Sequence, residues 1–167
     1  MARDVEPSDR NTAISIGGRV SRLCRRGRPT LMEPMARMTA TSGSPFEASI
    51  GFSRAVRVDD RVVVSGTAPI WPDGSCDPDA GVQASRCIEI IGASLQQLGS
   101  TLDDVVRTRM FLVDAADAEL VGRAHAAAFG KARPAATMVV IGGLLDARWR
   151  VEIEAEAIVG SGAGPLE

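Results

Sequence analysis

The segment Arg150-Val151-Glu152-Ile153-Glu154-Ala155-Glu156-Ala157 constrains the fold most. Carboxylates and apolar residues alternate along it. Successive side chains of a β-strand point to opposite faces. Glu152, Glu154 and Glu156 therefore share one face, and Ile153, Ala155 and Ala157 the other. The pattern predicts a strand over 150–159 with one face suited to a core.

The remaining elements follow from periodicity and punctuation. Phe52-Ser53-Arg54-Ala55-Val56-Arg57-Val58 alternates and reads as a strand. Asp59-Asp60 is a hairpin turn, and Arg61-Val62-Val63-Val64-Ser65 a second strand, β-branched enough to be buried on both faces. The segment 69–78 is a loop. A helix follows, with Asp77 as N-cap and Pro78 at its first position. Val82, Cys87, Ile88, Ile91, Leu95 and Leu98 form its buried stripe, and Gly99 ends it. A third strand spans 105–113. Asp114 or Asp117 caps a second helix running to Phe129. Strand four covers 137–141, Gly142 to Asp146 is a loop, and strand five is the opening segment. The order ββαβαββ places two helices on one face of a mixed α/β (α+β) sheet. Val62, Val64, Met110, Val139 and Ile153 are too many apolar residues to face the same two helices. A second apolar face implies burial against another subunit.

The chain ends differ from this domain. Residues 1–45 are arginine-rich and without periodicity, and read as a disordered extension. It is a translated upstream region with Met32, Met35 or Met38 as the true start, a plain tail, an arginine-rich arm for acidic partners, or a presequence; Asp4, Glu6 and Asp9 oppose the last. The folded domain is expected over 46–160 and a flexible tail over 161–167.

Charge and cysteine usage narrow the function. A net charge of −2 gives no broad attraction to nucleic acid or acidic membranes. No apolar run reaches the roughly 20 residues of a membrane helix. Cys24, Cys76 and Cys87 fit neither a metal pattern nor a disulfide framework, so no metal or other cofactor is expected and the compartment reads as cytoplasmic. Cys87 lies on the helical stripe as a small buried hydrophobe. His125, the only histidine, reads as a surface or interface residue. Trp71 and Trp149 lie in or beside loops; Trp149 either caps a cleft or packs on its own domain.

Ser65-Gly66-Thr67-Ala68-Pro69, Arg133-Pro134-Ala135-Ala136-Thr137 and the Glu152 strand, in this order, resemble the Rid family, the reactive intermediate deaminases also called YjgF proteins. The resemblance covers about residues 47–160. It implies a chorismate-mutase-like fold, a homotrimeric barrel and small-molecule clefts between subunits, with no nucleic acid or membrane partner. Members hydrolyse imines or enamines to a carbonyl and ammonia; some are described as ribonucleases or translation inhibitors, which the acidic domain does not favour.

The resemblance assigns Glu152 the role of positioning the attacking water, chemistry a sheltered carboxylate can perform. The strand acids are otherwise exposed, or paired with arginines. Phe52 stands where the family has a tyrosine, Thr67 where it has glutamine, and Met138 where it has a cleft cysteine. Ala136 stands where the deaminases carry the arginine that grips the substrate carboxylate in a bidentate pair. Arg109 and Arg133 are the candidate substitutes; Arg109 either faces the cleft or pairs with Glu152 or Glu154. Two functions stay open: an imine or enamine deaminase, and a non-catalytic metabolite-binding trimer.

Overall fold

The computed structural model describes residues 36–162. They form a mixed α+β fold with a six-stranded sheet in the order β1-β2-β3-β6-β4-β5. The strands are β1 (Arg37–Ala40), β2 (Ala55–Val58), β3 (Arg61–Thr67), β4 (Val105–Leu112), β5 (Ala135–Val140) and β6 (Val151–Ile158). The helices are α1 (Pro45–Ile50), α2 (Ala80–Gln97) and α3 (Ala118–Phe129). All neighbouring strands are antiparallel except β4 and β5.

The predicted ββαβαββ elements are present as β2 to β6, with β1 and α1 added in front. Residues 37–50 are therefore not part of an unstructured extension. β1 pairs with β2 and sends Ala40 into the core. Ser44 caps α1 through Phe46 N, and Gly51, at φ 84°, ends it. Residues 1–35, with the candidate starts Met32 and Met35, and the tail from 163 lie outside the described residues. Gly160 and Gly162 are held: both backbone amides donate to Asp104 Oδ1, at 3.0 and 2.9 Å.

Element ends differ where one side chain outbids another. Helix α2 starts at Ala80 because Asp79, not Asp77, caps it; Asp79 Oδ1 accepts from Gly81 N and Val82 N at 2.8 and 2.9 Å. Asp77 instead accepts from Asp79 N. At its far end Gly99 takes φ 72°, the expected left-handed stop. Asp114 caps the 3-10 turn Ala115–Asp117 ahead of α3, while Asp117 binds Arg150 Nε at 2.7 Å. At the β2–β3 turn Asp59 takes φ 55°, a conformation aspartate tolerates.

The core lies between the sheet and helices α2 and α3. Central β6 contributes Val151, Ile153, Ala155 and Ala157, all buried. The register aligns Val62 with Ala157, Val64 with Ala155 and Met110 with Ile153. These residues share the helix-covered face, which corrects the expectation that they divide between two faces. Of the five apolar residues expected to crowd the helices, Val139 alone lies opposite. That opposite face carries Glu152, Glu154, Glu156, Arg107, Arg109 and Phe111, with Val63 at 43% exposure. It is a charge ladder edged by apolar residues. Strand β3 is accordingly buried on one face only.

The α2 stripe also holds a polar exception. Val82 is exposed, and Gln83 is fully buried beside it. Gln83 Nε2 donates to Asp77 O and Arg148 O at 2.7 and 2.9 Å, and its Oε1 accepts from Arg150 N at 2.7 Å. One side chain thus fastens the loop after β3 and the loop before β6 to the same helix. Among the described residues no helix is long and apolar enough to cross a membrane, and no group of three or more His, Cys, Asp or Glu is placed to hold a metal ion.

Gln83→Ala leaves the Arg150 amide and two carbonyls without their partner. Three lost hydrogen bonds at a buried position lower unfolding stability by about 2–3 kcal/mol. Urea denaturation checks this; a loss below about 1 kcal/mol means the loops hold themselves.

Candidate functional site

Strand β6 alternates with period two, so Glu152 must point away from the core residues Val151 and Ile153. Opposite it, the β3–β6 register shifts between Val64 and Thr67. This irregularity brings Gly66 against the Glu152 carboxylate. A Cβ on Gly66 would lie 2.1 Å from Glu152 Oε1, so the carboxylate occupies space that only glycine leaves open.

Both residues line a cleft of about 620 Å3. Phe46 and Ile50 of α1 form one wall. Phe52 and Arg54, just before β2, form the floor with Gly66 and Glu152. The loop after β3 brings Trp71, and the loop before β6 brings Trp149. Both loops are those pinned by Gln83. The walls are largely apolar and the floor holds a cation and a carboxylate, an arrangement typical of small-molecule sites.

Electrostatics single out the floor. Burial pushes the Glu152 carboxyl above its usual value; Arg54 opposes this and Glu154 adds to it. Glu152 forms no ion pair among the described residues. Burial pulls the Arg54 guanidinium down, opposed by Glu47 and Glu152. At the rim Arg148 Nη2 pairs with Asp146 Oδ2 at 2.7 Å, and these hydrogen bonds hold Asp146 down to about 2.

Of the residues proposed from sequence, Glu152 and Phe52 meet in this cleft. The others lie elsewhere in the chain. Thr67 is fully buried on the helix side and donates to Ser65 O at 2.8 Å. Arg109 Nη1 binds Glu154 Oε1 at 2.8 Å, and Nη2 lies 3.7 Å from Glu156 Oε1. It takes the paired alternative, with Glu154 rather than Glu152. Arg133 is exposed at φ 47°, beside Pro134 at the start of β5. Ala136 and Met138 sit on edge strand β5, in register with Thr108 and Met110 and so on the helix side of the sheet. Met138 packs against the core there. His125 is half-buried rather than on the surface: its Nε2 lies 2.9 Å from Thr108 Oγ1, and its ring is 4.7 Å from that of Phe129. Cys87 is fully buried, as its stripe position requires.

Arg54 and Gln83 escaped the sequence reading. A signal existed for the first: alternation puts Arg54 on the same strand face as Phe52. None existed for Gln83, because its value depends on two loops distant in sequence.

Two outcomes follow from the Gly66–Glu152 contact. Gly66→Ala displaces the end of a flexible side chain rather than backbone, so the protein folds while Glu152 moves toward water. NMR titration of the glutamate carboxyls shows one group above 4.5 in the wild type and that group falling toward 4.5 in Gly66→Ala; an unchanged titration means the contact is not made. The second outcome is a stability effect. A carboxyl with a raised folded pKa favours folding while protonated and loses that contribution as pH rises through the folded value. Glu152→Gln therefore matches the wild type in melting temperature near pH 4 and exceeds it at pH 7. A variant that melts lower at pH 7 overturns the assignment of burial as the dominant effect.

Comparison with known proteins agrees with this architecture. The Endoribonuclease L-PSP family matches residues 42–159. An uncharacterised protein of Streptomyces coelicolor is 39% identical over 125 residues, spanning 72% of this chain and 90% of that one. A 2-iminobutanoate/2-iminopropanoate deaminase of Salmonella typhimurium is 30% identical, spanning 74% of this chain and 98% of its own length. A crystal structure of a YjgF/YER057c/UK114 family member from Mycobacterium tuberculosis superposes with a TM-score of 0.69 at 42% identity, covering 74% of this chain and all of that one. With a family match across most of its length and relatives of this similarity, the chain belongs to the Endoribonuclease L-PSP family, the YjgF or Rid proteins.

Proposed function

We propose that the cleft hydrolyses a reactive imine or enamine to a carbonyl compound and ammonia. The supporting observation is Glu152: a partly buried carboxylate, unpaired among the described residues, beside Gly66 at the floor of an apolar cleft and held above its ordinary pKa. An enamine first tautomerises to the imine by protonation at carbon. Water then attacks the imine carbon while Glu152 takes one of its protons. The same carboxyl returns that proton to nitrogen, giving the carbinolamine, and then passes the hydroxyl proton to the amino group as the carbinolamine collapses. The C–N bond breaks, ammonia leaves and the C=O forms, so imine plus water balances carbonyl plus ammonia. A carboxyl with a raised pKa suits both proton transfers near neutral pH. The deaminase relatives support the reading.

The assembly belongs to the same proposal. The charge ladder facing away from the helices, edged by the half-exposed Val63 and Val139, packs against two further copies in a homotrimer. Ala136 and Met138, on the edge strand, reach a cleft only as residues of a neighbouring copy. The alternative is a non-catalytic metabolite-binding trimer. Ala136 favours it, because alanine supplies no grip for a carboxylate. The two cations of the lining, Arg54 and Arg148, are matched by Glu152 and Asp146, so the cleft offers no net positive charge to a phosphodiester backbone, which disfavours ribonuclease action.

Ammonia release from freshly generated 2-aminoacrylate or a bulkier enamine separates the readings. Wild-type protein accelerates release, and Glu152→Gln lowers it at least about 100-fold. The acid limb of the rate profile lies above 4.5, because a base must be ionised to act. No acceleration with any imine leaves the metabolite-binding reading standing alone. Sedimentation at micromolar concentration gives the trimer mass; a stable monomer removes the assembly.

A further inference from the structure

The hydrolysis makes no use of Arg54. This residue is 8% exposed, yet it forms part of the cleft floor. Its Nη2 donates to Gly66 O at 2.5 Å, and its guanidinium carbon stands 5.6 Å from the centre of the Phe52 ring. Its Nε is buried without a hydrogen-bond partner, and no salt bridge reaches it among the described residues. A guanidinium carries five donors in a fixed fork. A buried cation left this incompletely paired is unfavourable until an anion completes it. Glu152 is near enough to influence Arg54 electrostatically, but it does not neutralise the guanidinium by contact.

Among the described residues, the other candidate cations do not meet this need. Arg109 is committed to Glu154, and Arg148 to Asp146. Arg133 does not line the cleft. The walls also indicate what accompanies the anion. Phe46, Ile50, Ile70, Trp71 and Trp149 surround a volume several times what a three-carbon acid fills.

Resting on the reading of the cleft as a small-molecule site, we propose that Arg54 is its anion-binding residue and that the ligand is a monocarboxylate with a bulky apolar substituent, of the 2-imino or 2-oxo acid type. Arg54 holds the carboxylate at the floor, stacked on Phe52. The apolar walls take the side chain. The reacting carbon, adjacent to the carboxylate, then lies beside Glu152. The cation that Ala136 cannot supply comes from the segment just before β2.

Both tryptophans of the chain line the cleft, so intrinsic fluorescence of the full-length protein reports occupancy. Three probes are titrated: 4-methyl-2-oxopentanoate, the uncharged 4-methyl-2-pentanone and pyruvate. The wild type binds the branched acid at least tenfold more tightly than either of the others. Arg54→Met abolishes the preference for acid over ketone, Arg54→Lys retains part of it, and Arg148→Gln retains it in full. Circular dichroism melting establishes that each variant folds. If Arg54→Met does not fold, the wild-type comparison and Arg54→Lys still decide. A wild type that binds acid and ketone equally, a preference surviving in Arg54→Met, or one lost in Arg148→Gln overturns the proposal. The titrations need no turnover: an Arg54-dependent preference without ammonia release retains this inference and removes the hydrolysis, and ammonia release without the preference does the reverse.

Discussion

The structure depends on the pairing of β6 between β3 and β4. A strand in that position is bonded along both edges, and its period of two splits it into an apolar face and an acidic one. Val151, Ile153, Ala155 and Ala157 dock under α2 and α3. The same geometry obliges Glu152, Glu154 and Glu156 to the other side. A shift of one residue would bury three carboxylates and expose the core, so this register is strongly fixed. The position of Glu152 is a by-product of core formation, which makes it rigid.

The three glutamates then differ by neighbours alone. Glu154 and Glu156 face Arg109 and Arg61 and are spent on ion pairs. Glu152 lies one step beyond the ladder, beside the shifted β3 register, where Gly66 leaves room for its carboxylate. Arg54 approaches the same glycine from just before β2 and binds its carbonyl. Gly66 thus seats a carboxylate on one side and a guanidinium on the other without letting them neutralise each other. This separation leaves both groups able to act on a third molecule.

The loops make the floor into a cleft. They come from widely separated parts of the chain, and the buried Gln83 fastens both to α2. Helix α1 closes the opposite side with Phe46 and Ile50. Leu145, at 94% exposure, stands at the rim.

Much of this was legible in the sequence, and the remainder divides along a physical line. Alternation and helical spacing are local, so they determined the strands β2 to β6, helices α2 and α3, the stop at Gly99 and the side of β6 that holds Glu152. The short ends β1 and α1 carried too few apolar residues for a periodic signal, and an arginine-rich neighbourhood masked them. Partner choice was not local at all. Which arginine meets which glutamate depends on the order β3-β6-β4-β5, which brings Arg109 to Glu154 and leaves Arg54 with Glu152. The sequence by itself determined the existence of a strand bearing three acids and the absence of an arginine at Ala136. Only the tertiary structure decided which acid stays unpaired and which cation accompanies it, because burial and charge pairing belong to residues that meet across the sheet rather than along the chain.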